Sequence, residues 1–415
     1  MAEKLAEVFE QYDMEILSTR KGRGSTIITT ADGMRILEPF RGSMVRLEQE
    51  YVLKQLFSEK GLNSIDYIIP NKDGQLFSCD KYRQPYVLKK HFEGEECDMR
   101  DSSDITAAVK ALSEFHVKGK WVAGQFETKW SETRREKEEQ RVLEIKKVLE
   151  DGEELERVAY LYEISQSALQ KAISEEEKQK RERADKGNGS AIIDESYMDD
   201  VKGRFIRHNA QIRKIGRFVS KVKRRNEFEN LFLEVYNSFH KQGEECVNML
   251  VNGVGGGFDT TGKEKENTVS KGLEDRVIAR HYGICHGSFN QHNVIMGEND
   301  IAIVHFERFS RGNQLNDLYQ FARKVMEKND YDFELLIDIF DAYQANIELK
   351  RDDYAYMYIL FSYPEKFWKI ANSYYNGNKA FLSPKYLEKL NALILQEQEK
   401  KEMLGRMKRI VIDGV

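Results

Sequence analysis

The sequence predicts an α+β chain in two lobes: a small antiparallel-sheet lobe over residues 1–93 and a mostly helical lobe over 94–415. Three observations predict it. Strand-type alternation and hairpin signals crowd into the first lobe. From Ile105 onward apolar residues recur at helix spacing, as Val109, Leu112, Phe115 and His116 do. Only 5 prolines interrupt the 415 residues, which suits a helix-rich chain.

The elements follow in order. Residues 14–19, 25–30 and 34–40 read as a three-strand meander, with Lys21-Gly22-Arg23-Gly24 turning between the first two and Asp32-Gly33 between the second and third. Residues 44–60 read as a helix with Leu47, Leu53 and Leu56 on its apolar face. Residues 67–70, 76–79 and 86–92 alternate or run apolar and fill out a small five-strand sheet, and Gly94-Glu95-Glu96-Cys97 links it to the second lobe. There, residues 131–198 form a charged helical insertion. Val142, Ile145 and Leu149, then Leu155, Val158 and Tyr162, step by threes and fours, as in a pair of helices broken near Asp151-Gly152. Residues 252–272 hold Gly253, Gly255, Gly256, Gly257 and Gly262 among polar residues and read as a flexible loop. Helices fill most of the chain from Asp317 to about Met407; the aromatic run from Tyr354 to Tyr375 within them reads as core packing before it reads as a stacking surface.

Hydrophobic residues make up 40% and charged residues 33%, enough for a sizeable core under a highly charged surface. A formal net charge of −5 does not point to nucleic acid or an anionic membrane. No apolar run of about 18 residues is present, so no membrane span is expected. The start lacks an apolar signal core, which predicts a cytosolic product. Cys79, Cys97, Cys246 and Cys285 show no CxxC pairing and read as reduced thiols.

The most informative stretch is Cys285-His286-Gly287-Ser288-Phe289-Asn290-Gln291-His292-Asn293-Val294-Ile295, followed by Ile303-Val304-His305-Phe306-Glu307. Its spacing resembles the catalytic loop and metal-binding strand of small-molecule kinases of the aminoglycoside phosphotransferase kind. These carry His-Gly-Asp, four residues, then Asn, and about a dozen residues later a second Asp. The resemblance implies a protein-kinase-like fold. The loop Asp would receive the substrate's hydroxyl proton, and Asn and the second Asp would hold magnesium. Here Ser288 stands at the first Asp and His305 at the second, while Asn293 is kept. A serine is no proton acceptor near pH 7, and magnesium prefers oxygen donors to imidazole. Asp317-Leu318 matches a downstream Asp-Leu whose Asp supports the loop.

The same resemblance places a lysine on the third strand, paired with a glutamate of the next helix. Glu38 falls at that lysine, with Arg35 as the neighbouring register, and Glu50 is the helix glutamate. Two carboxylates would then face each other and the phosphates. Restoring Ser288→Asp and His305→Asp is therefore expected to revive transfer only with Glu38→Lys added. Gly22 and Gly24 belong to a basic Gly-rich turn that is a weak phosphate-loop signal. The nucleotide site is thus vestigial. No cofactor is expected, or ATP and Mg2+ if activity is retained, with Asn293 and His305 at a vestigial metal position. Cys285, His286, His292 and His305 fit no standard zinc spacing, and packed or solvated histidines are the default.

The chain also resembles the CotS-type spore coat proteins of endospore-forming bacteria. The resemblance rests on Lys21-Gly22-Arg23-Gly24, Phe92-Glu93-Gly94-Glu95-Glu96-Cys97, Ile284-Cys285-His286-Gly287-Ser288, Asn316-Asp317-Leu318-Tyr319-Gln320-Phe321-Ala322-Arg323-Lys324 and Tyr363-Pro364-Glu365-Lys366-Phe367-Trp368. It implies synthesis in the mother cell cytoplasm and incorporation into the spore coat beside other coat proteins. It does not extend to the charged insertion, where the narrow apolar seam of residues 131–186 reads by itself as a protein-contact arm or an intramolecular hairpin. Two rival functions stay open: a small-molecule kinase with relocated carboxylates, Glu307 taking the metal, and a nucleotide-binding switch without transfer.

Overall fold

A computed structural model describes residues 2–150, 201–254, 272–298, 300–376 and 384–413. The chain divides into two compact units, Met1–Val122 with Tyr197–Val415, and Ala123–Ser196. The expected boundary between lobes at 93/94 falls inside the first unit.

The meander forms as β1 (Ile16–Lys21), β2 (Thr26–Thr30) and β3 (Gly33–Pro39). With β4 (Ser78–Cys79) and β5 (Pro85–Lys90) these make a five-stranded antiparallel sheet in the order β1-β2-β3-β5-β4. Residues 67–70, expected as a strand, contribute only a single bridge, Ile68 to Lys89. The sheet is covered on both faces. A first helix absent from the sequence reading, α1 (Ala2–Phe9), buries Leu5 and Val8 with Ile28, Leu37 and Leu88. On the opposite face α2 (Met44–Glu59) packs Leu47 with Ile68, Leu76 and Val87. Side chains of a strand alternate between faces, so Val87 and Lys89 point to the α2 side and Leu88 to α1.

Gly94 begins the second lobe with φ +147°, and a Cβ there would lie 2.3 Å from the Met296 carbonyl oxygen. The chain can therefore run close beside β8, where β6 (Glu95–Glu96), β8 (Val294–Met296) and β9 (Ile301–Ile303) form a three-stranded sheet. β7 (Tyr282–Cys285) and β10 (Ser310–Asn313) pair antiparallel. These two small sheets flank the segment 286–293.

Helices supply the rest. α3 (Ser102–Glu150) is one continuous helix, and the predicted break near Asp151-Gly152 lies outside the described residues, as does nearly all of the 252–272 loop. Then come α4 (Val201–Ser220), α5 (Glu227–Asn252), α6 (Leu273–His281), α7 (Leu315–Lys328), α8 (Phe333–Gln344), α9 (Arg351–Ser362), α10 (Glu365–Asn376), α11 (Pro384–Leu395) and α12 (Glu397–Asp413). Asn226 caps α5 in a reciprocal box with Glu229. The aromatic run packs as core: Phe232 of α5 stacks on Phe367 of α10 at 5.2 Å, and Tyr356, Phe361, Tyr363 and Tyr374 are buried. Cys97, Cys246 and Cys285 are buried and Cys79 is half-buried, and none of the four is in a disulfide. Burial pushes the thiols of Cys97 and Cys246 up to about 12. Among the described residues no helix is long and apolar enough to cross a membrane.

Candidate functional site

The segment after β7 is held by one buried carboxylate. Asp317, in the first turn of α7, accepts from the backbone N–H of His286 at 2.6 Å and of Gly287 at 2.9 Å. Its Oδ2 also lies 3.3 Å from Nε2 of buried His116, whose Nδ1 meets the Tyr343 hydroxyl at 2.8 Å. Burial lowers the pKa of both His116 and His286, so both rings are neutral near pH 7. His286 donates from Nε2 to the Val304 carbonyl at 3.0 Å, which leaves Nδ1 to accept from the Ser288 N–H at 3.3 Å. The histidine is part of the scaffold.

Within that scaffold Ser288 and Asn293 bind each other. Asn293 Nδ2 donates to the Ser288 carbonyl at 2.9 Å and to Ser288 Oγ at 3.2 Å, and Oγ lies 3.4 Å from His286 Nδ1. The serine hydroxyl is therefore tied into the loop, and among the described residues it hydrogen-bonds no carboxylate that could take its proton. Gly287 has φ +76°, and a Cβ there would fall 2.0 Å from the Arg308 carbonyl oxygen. A Gly287→Ala substitution is expected to destabilise the protein by at least about 2 kcal/mol, from backbone strain plus displacement of the Arg308 segment. Urea unfolding measures it, and a loss under about 0.5 kcal/mol would contradict this backbone geometry.

On the sheet side of the loop the charges are arranged unlike the sequence reading. Glu38 and Glu50 were expected to repel each other. Instead Lys89 of β5 stands among four carboxylates: Glu307 at 2.9 Å, Glu38 at 3.4 Å, Asp66 at 3.6 Å and Glu50 at 3.9 Å. Lys54, one turn beyond Glu50 in α2, binds Glu50 at 2.5 Å and Asp66 at 2.8 Å. Burial alone would lower the Lys89 pKa, but Asp66, Glu50, Glu307 and Glu38 hold it well above its ordinary value. Asp66 is pushed up by burial and pulled lower overall by Lys54 and Lys89. The correction has a consequence for the restoring substitutions: Glu38→Lys would set a second ammonium against Lys89 and not recreate an attraction.

His305 lies at φ +67°, a region rarely populated by non-glycine residues, and its N–H donates to Asp66 at 3.1 Å. Its Nδ1 is 3.6 Å from Glu307, which favours the protonated ring and raises its pKa. Among the described residues the only group of His, Cys, Asp and Glu close enough to share an ion is Glu38, His305 and Glu307; Cys285, His286 and His292 do not join it. This trio does not fit magnesium as it stands. The Lys89 ammonium already bridges both carboxylates, and the third donor is an imidazole that favours its charged form.

The fold thus gathers Ser288 with Asn293, and Glu38 with Glu50 and His305. Gly22 and Gly24 sit in the β1–β2 turn, Gly24 at φ +76°. That turn is tied to the loop through Glu96, which is 3.9 Å from Arg23 and hydrogen-bonded to His292. Lys54, Asp66 and Lys89 were missed. The signal for Lys89 was present: in Tyr86-Val87-Leu88-Lys89-Lys90 strand alternation sends one of two adjacent lysines inward.

No protein-family model matches the sequence, and no curated protein matches it. Solved structures do. An aminoglycoside phosphotransferase from Alicyclobacillus acidocaldarius superposes with a TM-score of 0.67 at 13% identity, over 98% of this chain and 95% of that one. A spectinomycin phosphotransferase in complex with ADP and spectinomycin aligns at TM-score 0.47 and 11% identity, over 99% and 98%. An amicoumacin kinase in complex with AMP-PNP and Ca2+ aligns at 0.47 and 10%, over 97% and 92%. The chain has the two-lobed, kinase-like α+β fold of the aminoglycoside phosphotransferases. Likeness at this identity defines architecture; the chemistry rests on the residues themselves.

Proposed function

We propose that the protein is a pseudokinase that serves as a structural or interaction component of the spore coat. One observation supports the silent site most: Lys89, the inward lysine of β5, is engaged by four carboxylates, while Ser288 supplies no base. The coat assignment follows from the CotS-type resemblance. It carries with it synthesis in the mother cell cytoplasm and contact with other coat proteins; the narrow apolar seam of residues 131–186 is the proposed contact surface. Magnesium-ATP at about 1 mM is expected to leave the melting temperature unchanged within a degree or so. No phosphate is expected to pass from labelled ATP to sugars, amino alcohols or protein. A magnesium-dependent rise of several degrees, or turnover abolished by Asn293→Ala, would establish an enzyme instead. That second reading draws on the proximity of Glu38, His305 and Glu307, which an arriving metal would have to take from Lys89. Fractionation of mature spores tests the location: absence from the coat fraction would remove the coat role.

A further inference from the structure

The cleft on the helical side of the Ser288 loop has a charge that neither motif nor composition announces. It is a cavity of about 310 Å³, and its walls carry Arg204 of α4, Arg308 of the β9–β10 connection, Arg323 and Lys324 of α7, and Lys369 of α10. One carboxylate, Glu365, faces these five cations, although the chain as a whole carries a net charge of −5. Glu365 is itself already occupied: it binds Lys369 at 2.5 Å, accepts from the Tyr319 hydroxyl at 3.2 Å and lies 3.9 Å from Arg323.

Two of the five cations are not in an ion pair: among the described residues neither Lys324 Nζ nor the Arg308 guanidinium has a carboxylate partner. Arg323 is held by Glu327, yet its Nε is buried and makes no hydrogen bond. Burial lowers the Lys324 pKa, and Arg323 and Lys369 beside it push the same way. Cations gathered in a concave surface in excess of its carboxylates form a site of positive potential. The cleft floor is the loop itself, through Gly287, Ser288 and Asn290, and Asn316 and Gln320 add polar groups. α7 unites these parts: Asn316, Gln320 and Lys324 lie one turn apart on one face, and Asn316 immediately precedes the Asp317 that holds the loop.

We propose that this cleft binds a small polyanion, a molecule bearing clustered phosphate or carboxylate groups, against the Ser288 loop. A polycationic amino sugar would meet charge of its own sign here. The volume sits at the lower end of ligand pockets, about 300–1,000 Å³. The inference is independent of phosphoryl transfer, because an anion held here need not be a substrate.

Calorimetric titration of the full-length protein with pyrophosphate, citrate and spermine tests it. At least one of the two anions is expected to bind, spermine is not, and raising salt from about 50 to about 300 mM should weaken binding roughly tenfold. R308Q and K324Q are each expected to weaken it about fivefold to tenfold, with melting temperatures unchanged because neither group is paired in the fold. R308K should retain most of the affinity, and K81Q on the sheet lobe all of it. Binding of pyrophosphate alone would identify a phosphate ester as the ligand class, and binding of both anions a site that reads charge. The proposal is overturned if neither anion binds at about 5 mM, if spermine binds as well, or if K81Q weakens binding as much as R308Q.

Discussion

Lys89→Met should cost the protein about 3–5 kcal/mol at pH 7 and reverse the way its stability responds to acid. Methionine fills a similar volume, so the loss reports charge and not a cavity. In the unaltered protein Asp66 and Glu307 have pKa values below their unfolded ones, despite the opposing effect of burial. Their contribution is present above the unfolded carboxylate pKa, about 4, and is lost as the pH falls through the folded values. The Lys89 contribution is present below about 10.5 and is lost only as the pH rises through its still higher folded value. Without Lys89, the burial that pushes the carboxyls of Asp66 and Glu307 up is opposed, among the cations named above, only by Lys54 and His305. The folded pKa values of these two then rise above the unfolded ones, so the variant gains stability as the pH falls from 7 to 5, where the unaltered protein does not. Chemical denaturation at both pH values reads the difference. A loss under about 1 kcal/mol with an unchanged pH slope would mean that the lysine is solvated and the network is not formed.

Asp317→Ala is expected to be nearly as damaging, about 3–5 kcal/mol, because it strands the buried N–H groups of His286 and Gly287 and the Nε2 of His116. Asp317→Asn keeps one acceptor and should lose about half as much. Amide hydrogen exchange at residues 286 and 287 provides the local readout: both should exchange faster in the alanine variant. Unaltered protection with lowered global stability would assign the carboxylate to the His116 side alone.

Both variants concern residues that the sequence exposed to different degrees. Asp317 was legible because it lies at a fixed distance after a motif whose spacing is kept. The meander was legible because alternation and the Asp32-Gly33 turn are local signals, and the antiparallel sheet followed. α1 escaped because Leu5, Val8 and Phe9 show helix spacing over only eight residues, too few to hold a helix unaided; its stability comes from burying Leu5 and Val8 on the sheet. Residues 67–70 misled because an apolar run bounded by turns fits a strand, yet the segment forms a single bridge to Lys89. Lys54 escaped because its spacing of four from Glu50 is that of any exposed helix pair; only Asp66 and the sheet above make the pair an interior one. The basic cleft was out of reach for a simpler reason. Its cations come from positions 204, 308, 323, 324 and 369, and only the packing of α4, α7 and α10 around the loop gathers them.

The thiols carry a separate consequence. A sulfur must be a thiolate to attack a disulfide, and at pH 7.5 a group with a pKa near 12 is ionised in roughly one molecule in thirty thousand. Cys97 and Cys246 are thereby inert as well as buried, and Cys285 is shielded. Cys79 alone is half-buried, and it stands on β4, the outermost strand of its sheet. In an oxidising matrix a covalent tether to a neighbouring chain would therefore leave the molecule from a single point on the rim of the sheet lobe. The protein could be anchored by one corner while its clefts stayed open.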